Sequence, residues 1–422
     1  MASAPTQRAS AILRNPKLWI APTALSAVLG MVLALLYMGG ILDPPGSLHK
    51  LPVAIANDDQ SAPLPGQKEN LGAQITNSIV SQTPSEKVKW TVVGSDEAHD
   101  RLAAGKAFGV LVIPRDFTDT VAAVAAGKAA KRPQFTILTN PGMGSLGSSL
   151  ATTITQDAAH RASTALGRQL TAQTTDPTLK VYLADPVGVV VRDGHAIGGH
   201  SGLGLSAFYY TLLLVLISFI AGNGISTGVD TALGYADSEI GPWHSRRPTV
   251  LINRTQTLIV KMVMTAAITL LTSSLLMVTT IGILGMDAHH RVLLWVFSYC
   301  VMLVVGLGVQ AINAAFGGIG QLVSMLVFLA LALPSSGAAV PLEAVPGFYR
   351  FLGAFEPMRQ ITDGVRSILY FDARADAGLL RAWLMLVLGF VLSMAFGFVM
   401  TRHYDRRGLV RRGHHPPPKP TA

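Results

Sequence analysis

Six stretches, residues 18–42, 203–225, 262–284, 292–312, 316–335 and 382–400, contain no Asp, Glu, Lys or Arg. At 1.5 Å per residue each is long enough to cross the roughly 30 Å hydrocarbon core of a bilayer. Composition agrees. Half of the 422 residues are hydrophobic and 14% are charged, against about a quarter in soluble domains, and the mean hydropathy is +0.43. This excludes a disordered chain, a coiled coil and an ordinary cytosolic protein. The first stretch exceeds a signal-peptide core and is followed by Gly39-Gly40-Ile41-Leu42-Asp43-Pro44-Pro45, with no A-x-A cleavage site, so it reads as a retained anchor. Only residues 313–315 separate the fourth and fifth stretches, which predicts a helical hairpin or a partly re-entrant element. The single cysteine, Cys300, lies in an apolar run and leaves no cysteine-based metal site.

Lys and Arg near the helix ends set the expected orientation. With the N-terminus inside, Arg8, Arg14 and Lys17, then Arg246, Arg247 and Arg254, then Arg402, Arg406, Arg407, Arg411, Arg412 and Lys419 all fall on the cytoplasmic side of a plasma membrane. The plan is a cytoplasmic tail 1–17, helix 1 over 18–42, an extracytoplasmic domain 43–202, helices 2–6 over 203–400 with an inner loop 226–254 and an outer loop 336–378, and a basic tail 401–422. The outer segment carries 14 basic and 14 acidic residues. The net charge of +9 therefore belongs to the rest of the chain, much of it at the inner membrane surface, and nucleic acid loses its support as a partner.

Within 43–202, residues 51–56, 88–93, 108–113 and 135–138 read as strands, and Pro114 ends the third because it cannot donate to a ladder. Ser95 is placed as the N-cap of a short helix running to Leu102. Leu150, Ile154, Ala158, Ala162, Leu166 and Leu170 recur every four residues and predict a long helix with one apolar stripe. Val187, Val189 and Val191 alternate as a strand returning to the membrane. The fold class is an α-helical polytopic membrane protein of six spans with an α/β extracytoplasmic domain between helices 1 and 2.

Several runs carry a resemblance. Leu51-Pro52-Val53-Ala54-Ile55-Ala56-Asn57-Asp58-Asp59, Gly109-Val110-Leu111-Val112-Ile113-Pro114-Arg115-Asp116-Phe117, Thr139-Asn140-Pro141, the 202–208 entry to helix 2 and the 335–349 outer loop, with Pro357 and Arg366 beyond it, resemble the YhgE/Pip (phage infection protein) branch of type-2 ABC permeases. The similarity spans nearly the whole chain, and none of its motifs is catalytic. It implies transport energised by a separate ATP-binding-cassette subunit, because Gly105-Lys106-Ala107 and Gly127-Lys128-Ala129 lack the spacing and the Ser or Thr of a P-loop. That subunit would grip the inner loop, where Asp230, Asp237, Glu239, Trp243, Arg246 and Arg247 are expected on a short surface helix. The plainer reading of those residues is a solvated loop obeying the positive-inside bias.

Gly142-Met143-Gly144-Ser145-Leu146-Gly147 has dinucleotide-fingerprint spacing, yet no acidic residue follows about 20 positions on, so it reads as flexible glycines before a helix. His195, His200, His289, His290, His414 and His415 lack partners at zinc spacing and read as solvated loop residues. No cofactor, metal site or catalytic constellation is expected. The spans also lack central charges, which disfavours ion coupling. Asn223, Gln310, Asn313 and Gln321 are the polar candidates for a substrate path, or simply interhelical hydrogen bonds, and Phe348 and Phe351 in the outer loop are candidates for a lateral exit on a short amphipathic helix. Arg402, Arg406, Arg407, Arg411 and Arg412 are expected on the anionic inner lipid surface. The resulting expectation is a homodimeric permease that exports or relocates a hydrophobic or amphipathic molecule such as a lipid, glycolipid precursor or drug. The alternative is a membrane-anchored scaffold or receptor whose outer domain binds a partner in phage infection or secretion.

Overall fold

The computed structural model describes residues 13–14, 16–128, 131–240, 242–245, 247–409 and 411. Most of the chain is helical, with a small α/β region after the first long helix. Among the described residues, five helices are long and apolar enough to cross a membrane: Pro22–Gly39, Ser206–Ala232, Arg254–Ile283, Arg291–Ser335 and Leu379–Arg406.

Helix α1 (Pro16–Gly39) leads into strand β1 (Leu51–Asn57). Then come α2 (Leu71–Gln82), β2 (Val88–Val93), α3 (Ser95–Ala103), β3 (Gly109–Ile113), α4 (Phe117–Ala125), β4 (Gln134–Thr139), α5 (Ser145–Gln173), α6 (Pro177–Leu183) and β5 (Gly188–Asp193). The sheet order is β2-β1-β3-β4-β5. Strand β1 runs parallel to β2 and β3, β4 turns antiparallel to β3, and β5 is parallel to β4. The expected stripe of α5 buries Ala158, Ala162, Leu166 and Leu170 against Ile55, Leu111, Phe135 and Ile137 of the sheet. Phe117 and Phe135 stack there at 5.1 Å. Asp59, in the acidic turn after β1, accepts from the Gly72 amide at 3.1 Å and the Thr118 hydroxyl at 2.6 Å. It thus holds the N-terminal turns of α2 and α4, where partial positive charge gathers. The cap of α3 is Gly94 and not Ser95, and it makes no side-chain bond.

The second half of the chain begins with α7 (Ser206–Ala232), followed by the short strands β6 (Ser238–Ile240) and β7 (Trp243–Ser245), then α8 (Arg254–Met277) and α9 (Arg291–Phe316). The apolar run Arg291–Ser335 then folds back on itself. Gly317 has φ +60°, a conformation few L-residues adopt, and its amide bonds the Asn313 carbonyl. A Cβ on Gly308 would lie 2.7 Å from the Phe328 ring, so the two arms lie side by side. The returning arm comprises α10 (Gly320–Met325), a π-helical stretch Leu326–Ala330 and α11 (Ala332–Ser335). Its sixteen residues give only about 24 Å of rise. Two further helices, α12 (Gly347–Phe355) and α13 (Pro357–Tyr370), precede the last long one, α14 (Leu379–Arg406).

The α/β region seats on one end of the bundle. Phe371 packs against Gly105 and Gly142 and stacks on His195 at 5.4 Å, whose Nε2 lies 2.6 Å from the Tyr370 carbonyl. Lys106 pairs with Asp376 at 2.6 Å and Arg374 with Asp100 at 2.8 Å. His195 is therefore a junction residue and not a solvated loop histidine. The glycines of 142–147 have a packing reason too: side chains there would meet Phe371, Arg366 and Phe108.

Candidate functional site

The polar residues of the long helices converge at the end of the bundle away from the α/β region. On α7, Asn223, Ser226 and Asp230 stand three and four positions apart, which places them on one helical face, and all three line one pocket with Lys261 of α8 and Asn313 of α9. Gln310 donates from Nε2 to the Gly222 carbonyl at 2.9 Å and to the Thr265 hydroxyl at 3.2 Å. Its Oε1 has no partner. One turn further, Asn313 Nδ2 donates to Asn223 Oδ1 at 2.9 Å. Buried amides between apolar helices hold them in register because their alternative is an unpaired polar group in hydrocarbon.

Below this seam lies an ion cluster. Lys261 is 6% exposed, and its Nζ lies 2.9 Å from Asp230 and donates to Ser226 Oγ at 2.9 Å. Arg411 grips the same carboxylate bidentately at 2.6 and 2.8 Å and lies over the Tyr235 ring at 4.8 Å. Asp405 of α14 accepts from the Arg254 and Thr255 amides, both at 3.0 Å, and so caps α8. Asn223, Ser226, Asp230, Arg254, Lys261, Asn313 and Arg411, with Gln321 from the returning arm, line a pocket of about 250 Å³.

Several sequence expectations change here. Asp230 sits on α7 and is not a loop residue. The segment after it forms the β6–β7 hairpin instead of a surface helix, with Glu239 and His244 3.5 Å apart across it. Trp243 is 75% exposed, and Asp237 and Arg247 are exposed beside it. Arg411 is paired with Asp230; Arg402, Arg406 and Arg407 are exposed, Arg402 lying 5.9 Å from the Phe398 ring. Arg246 and Arg412 fall outside the described residues. Phe348 and Phe351 are exposed on α12, at the opposite end from Asn223, Gln310, Asn313 and Gln321, so the two sets of path candidates do not form one site. Lys261 was missed because the charge-free stretch starts one residue after it. Helix α8 begins at Arg254, which puts Lys261 about 10 Å along the helix.

At the α/β end, Glu356 caps α13, its carboxylate accepting from the Met358 amide at 2.6 Å. Burial pushes this carboxyl up to about 8, although its hydrogen bonds to the Met358 and Arg359 amides pull the other way.

Residues 24–389 match the model of the DUF3533 family, described as a protein of unknown function. The chain belongs to the DUF3533 family. No curated protein matches it, and no solved structure does. The DUF3533 match covers the α/β region, the polar seam, Asp230 and Lys261, and ends before Asp405 and Arg411.

Proposed function

We propose that this chain is a plasma-membrane permease that exports or relocates a hydrophobic or amphipathic molecule, working as a homodimer with a separate cytosolic ATP-binding-cassette subunit supplying the energy. The observation that carries the reading is the convergence of Asn223, Asn313 and Gln321 on one cation-lined pocket, with Gln310 bonding the Gly222 carbonyl between the same helices. Polar and ionisable groups between membrane helices are costly, and they commonly mark the path of a substrate or ion. The β6–β7 hairpin, with Trp243 outermost, is the natural grip for the ATPase. In this reading the two arms of Arg291–Ser335 count as separate passes, which makes six, and the resemblance to YhgE/Pip proteins supplies the transporter class.

Affinity purification of the full chain from native membranes in mild detergent tests the energy source. An ATP-binding-cassette subunit should co-purify in near-equal amount and be lost with Trp243→Ala and Glu239→Ala together. Recovery of an outer-domain partner and no ATPase would favour the scaffold reading. Orientation has its own test. With Cys300→Ser as background, a thiol at Lys131 should react with an impermeant maleimide from outside, and one at Arg407 only after permeabilisation. Both reacting from one side would overturn the proposed topology.

A further inference from the structure

A second cavity, of about 340 Å³, lies on the other side of α9 from the polar pocket. Its walls are almost wholly apolar, among them Val304 and Gly308 of α9, Phe328 of the returning arm, Ile361 of α13, and Met385 and Gly389 of α14. It follows α14 from Ala382 to Phe396, about 21 Å of helical rise, and Leu388, Leu392 and Phe396 at its rim are exposed on the bundle's flank. Ser393 and one amide, Gln360, interrupt the apolar lining. Gln360 is 3% exposed, and neither its Oε1 nor its Nε2 meets a protein partner. An unmet buried amide is costly, and an apolar cavity does not hold water well enough to satisfy it. The amide sits at the end nearest Phe355 and Pro357, on the side of the bundle that bears the α/β region.

We propose that this cavity binds the acyl chain of a membrane lipid, with the ester or amide linkage at the head of the chain hydrogen-bonded to Gln360. The shape selects this class. The space is elongated, too small for a helix about 10 Å across, and open sideways to where bilayer chains lie. A carbonyl at one end answers Nε2, and a headgroup hydroxyl or amide N–H answers Oε1. The chain then runs inward along α14 as an outer-leaflet lipid would. This gives the cargo of the proposed permease a chemical class, and it rests on that reading only for its role in transport.

The test is photolabelling of the full chain in phosphatidylglycerol nanodiscs with two probes, a phosphatidylglycerol bearing a diazirine in its acyl chain, whose headgroup hydroxyls can answer Oε1, and a plain hydrocarbon diazirine of equal length. Resolved to single residues, the phospholipid label should fall mostly on the lining positions Val304, Ile312, Phe328, Met385 and Ser393. Gly389→Leu fills the cavity, since a Cβ there meets only Val304, at 3.0 Å, and it should remove label by both probes. Gln360→Leu should lower phospholipid labelling about tenfold, as loss of one or two hydrogen bonds implies, and leave hydrocarbon labelling unchanged. Label spread evenly over outward residues such as Leu380, Leu384 and Val387, or a folded Gly389→Leu protein that labels like wild type, would overturn the site. Equal loss of both probes in Gln360→Leu would overturn the hydrogen-bonding role. If labelling behaves as expected while no lipid is relocated in vesicles, the binding site stands and the permease reading falls.

Discussion

Asp230→Ala should destabilise the protein by about 3 kcal/mol, at the lower end of what removing one partner of a buried ion pair costs. The variant strands two cations. Lys261 loses the Asp230 counter-charge and keeps Ser226 Oγ, while Arg411 loses both arms of its bidentate grip and with them the tie between the tail and α7. Cys300, the single thiol and half-buried in α9, reports unfolding to a thiol-reactive dye, and the midpoint should drop by several degrees. Asp230→Leu with Lys261→Met and Arg411→Met should recover most of the loss, because replacing buried ionic groups with apolar groups of similar volume is often neutral. Raised salt should change little, since buried pairs are screened far less than exposed ones. A drop no larger than that of an exposed pair, under about 1 kcal/mol, would mean that the cluster is well hydrated and that its burial lends no weight to a substrate path.

The same residues show what a sequence discloses about this fold. Strand spans in the α/β region were legible because alternating β-branched residues are bounded by Pro and Asn-Asp signals, and the four-residue spacing on α5 named its buried face before any coordinate did. The returning arm was legible as a hairpin from the short 313–315 gap, although its Gly317 pivot carries no signal beyond being a glycine. Charge counting alone misplaced the important cations. A window that excludes Lys stops at 262 and turns Lys261 into a border residue, whereas the spacing Asn223, Ser226, Asp230 on the preceding helix held the hint that a polar face ran past the charge-free limit. Arg411 could not be placed this way, since its partner lies 181 residues earlier. Local statistics likewise read the 142–147 glycines as flexible, because the Phe371 and Arg366 side chains they accommodate belong to the far end of the chain. Gln360 gave no sign at all; an amide becomes notable only when its neighbours prove unable to bond it.

Glu356→Gln should make stability far less dependent on pH between 5 and 8. Glu356 lies in the segment between α12 and α13, outside the long apolar helices, and is 7% exposed. Burial raises its carboxyl from 4.5 to about 8, so the folded chain holds the proton more tightly than the unfolded chain does. The sign follows from linkage. Below the unfolded value both states are protonated and the group costs nothing. As pH rises through that value the unfolded state ionises first, and the folded state loses ground until its own carboxyl ionises near 8. At roughly 1.4 kcal/mol per pH unit the accumulated loss is on the order of 5 kcal/mol and is complete above about pH 8. Gln keeps an oxygen to accept from the Met358 amide and has no proton to lose. Midpoints recorded from pH 5 to 9 should therefore nearly coincide at the acid end and separate steadily upward, with the variant the more stable. Parallel profiles would show that Glu356 is already ionised in the folded protein at neutral pH. The outcome bears on the proposed acyl-chain site, because Glu356 stands one helical turn from Gln360, and a neutral carboxyl there would keep the mouth of the cavity free of charge.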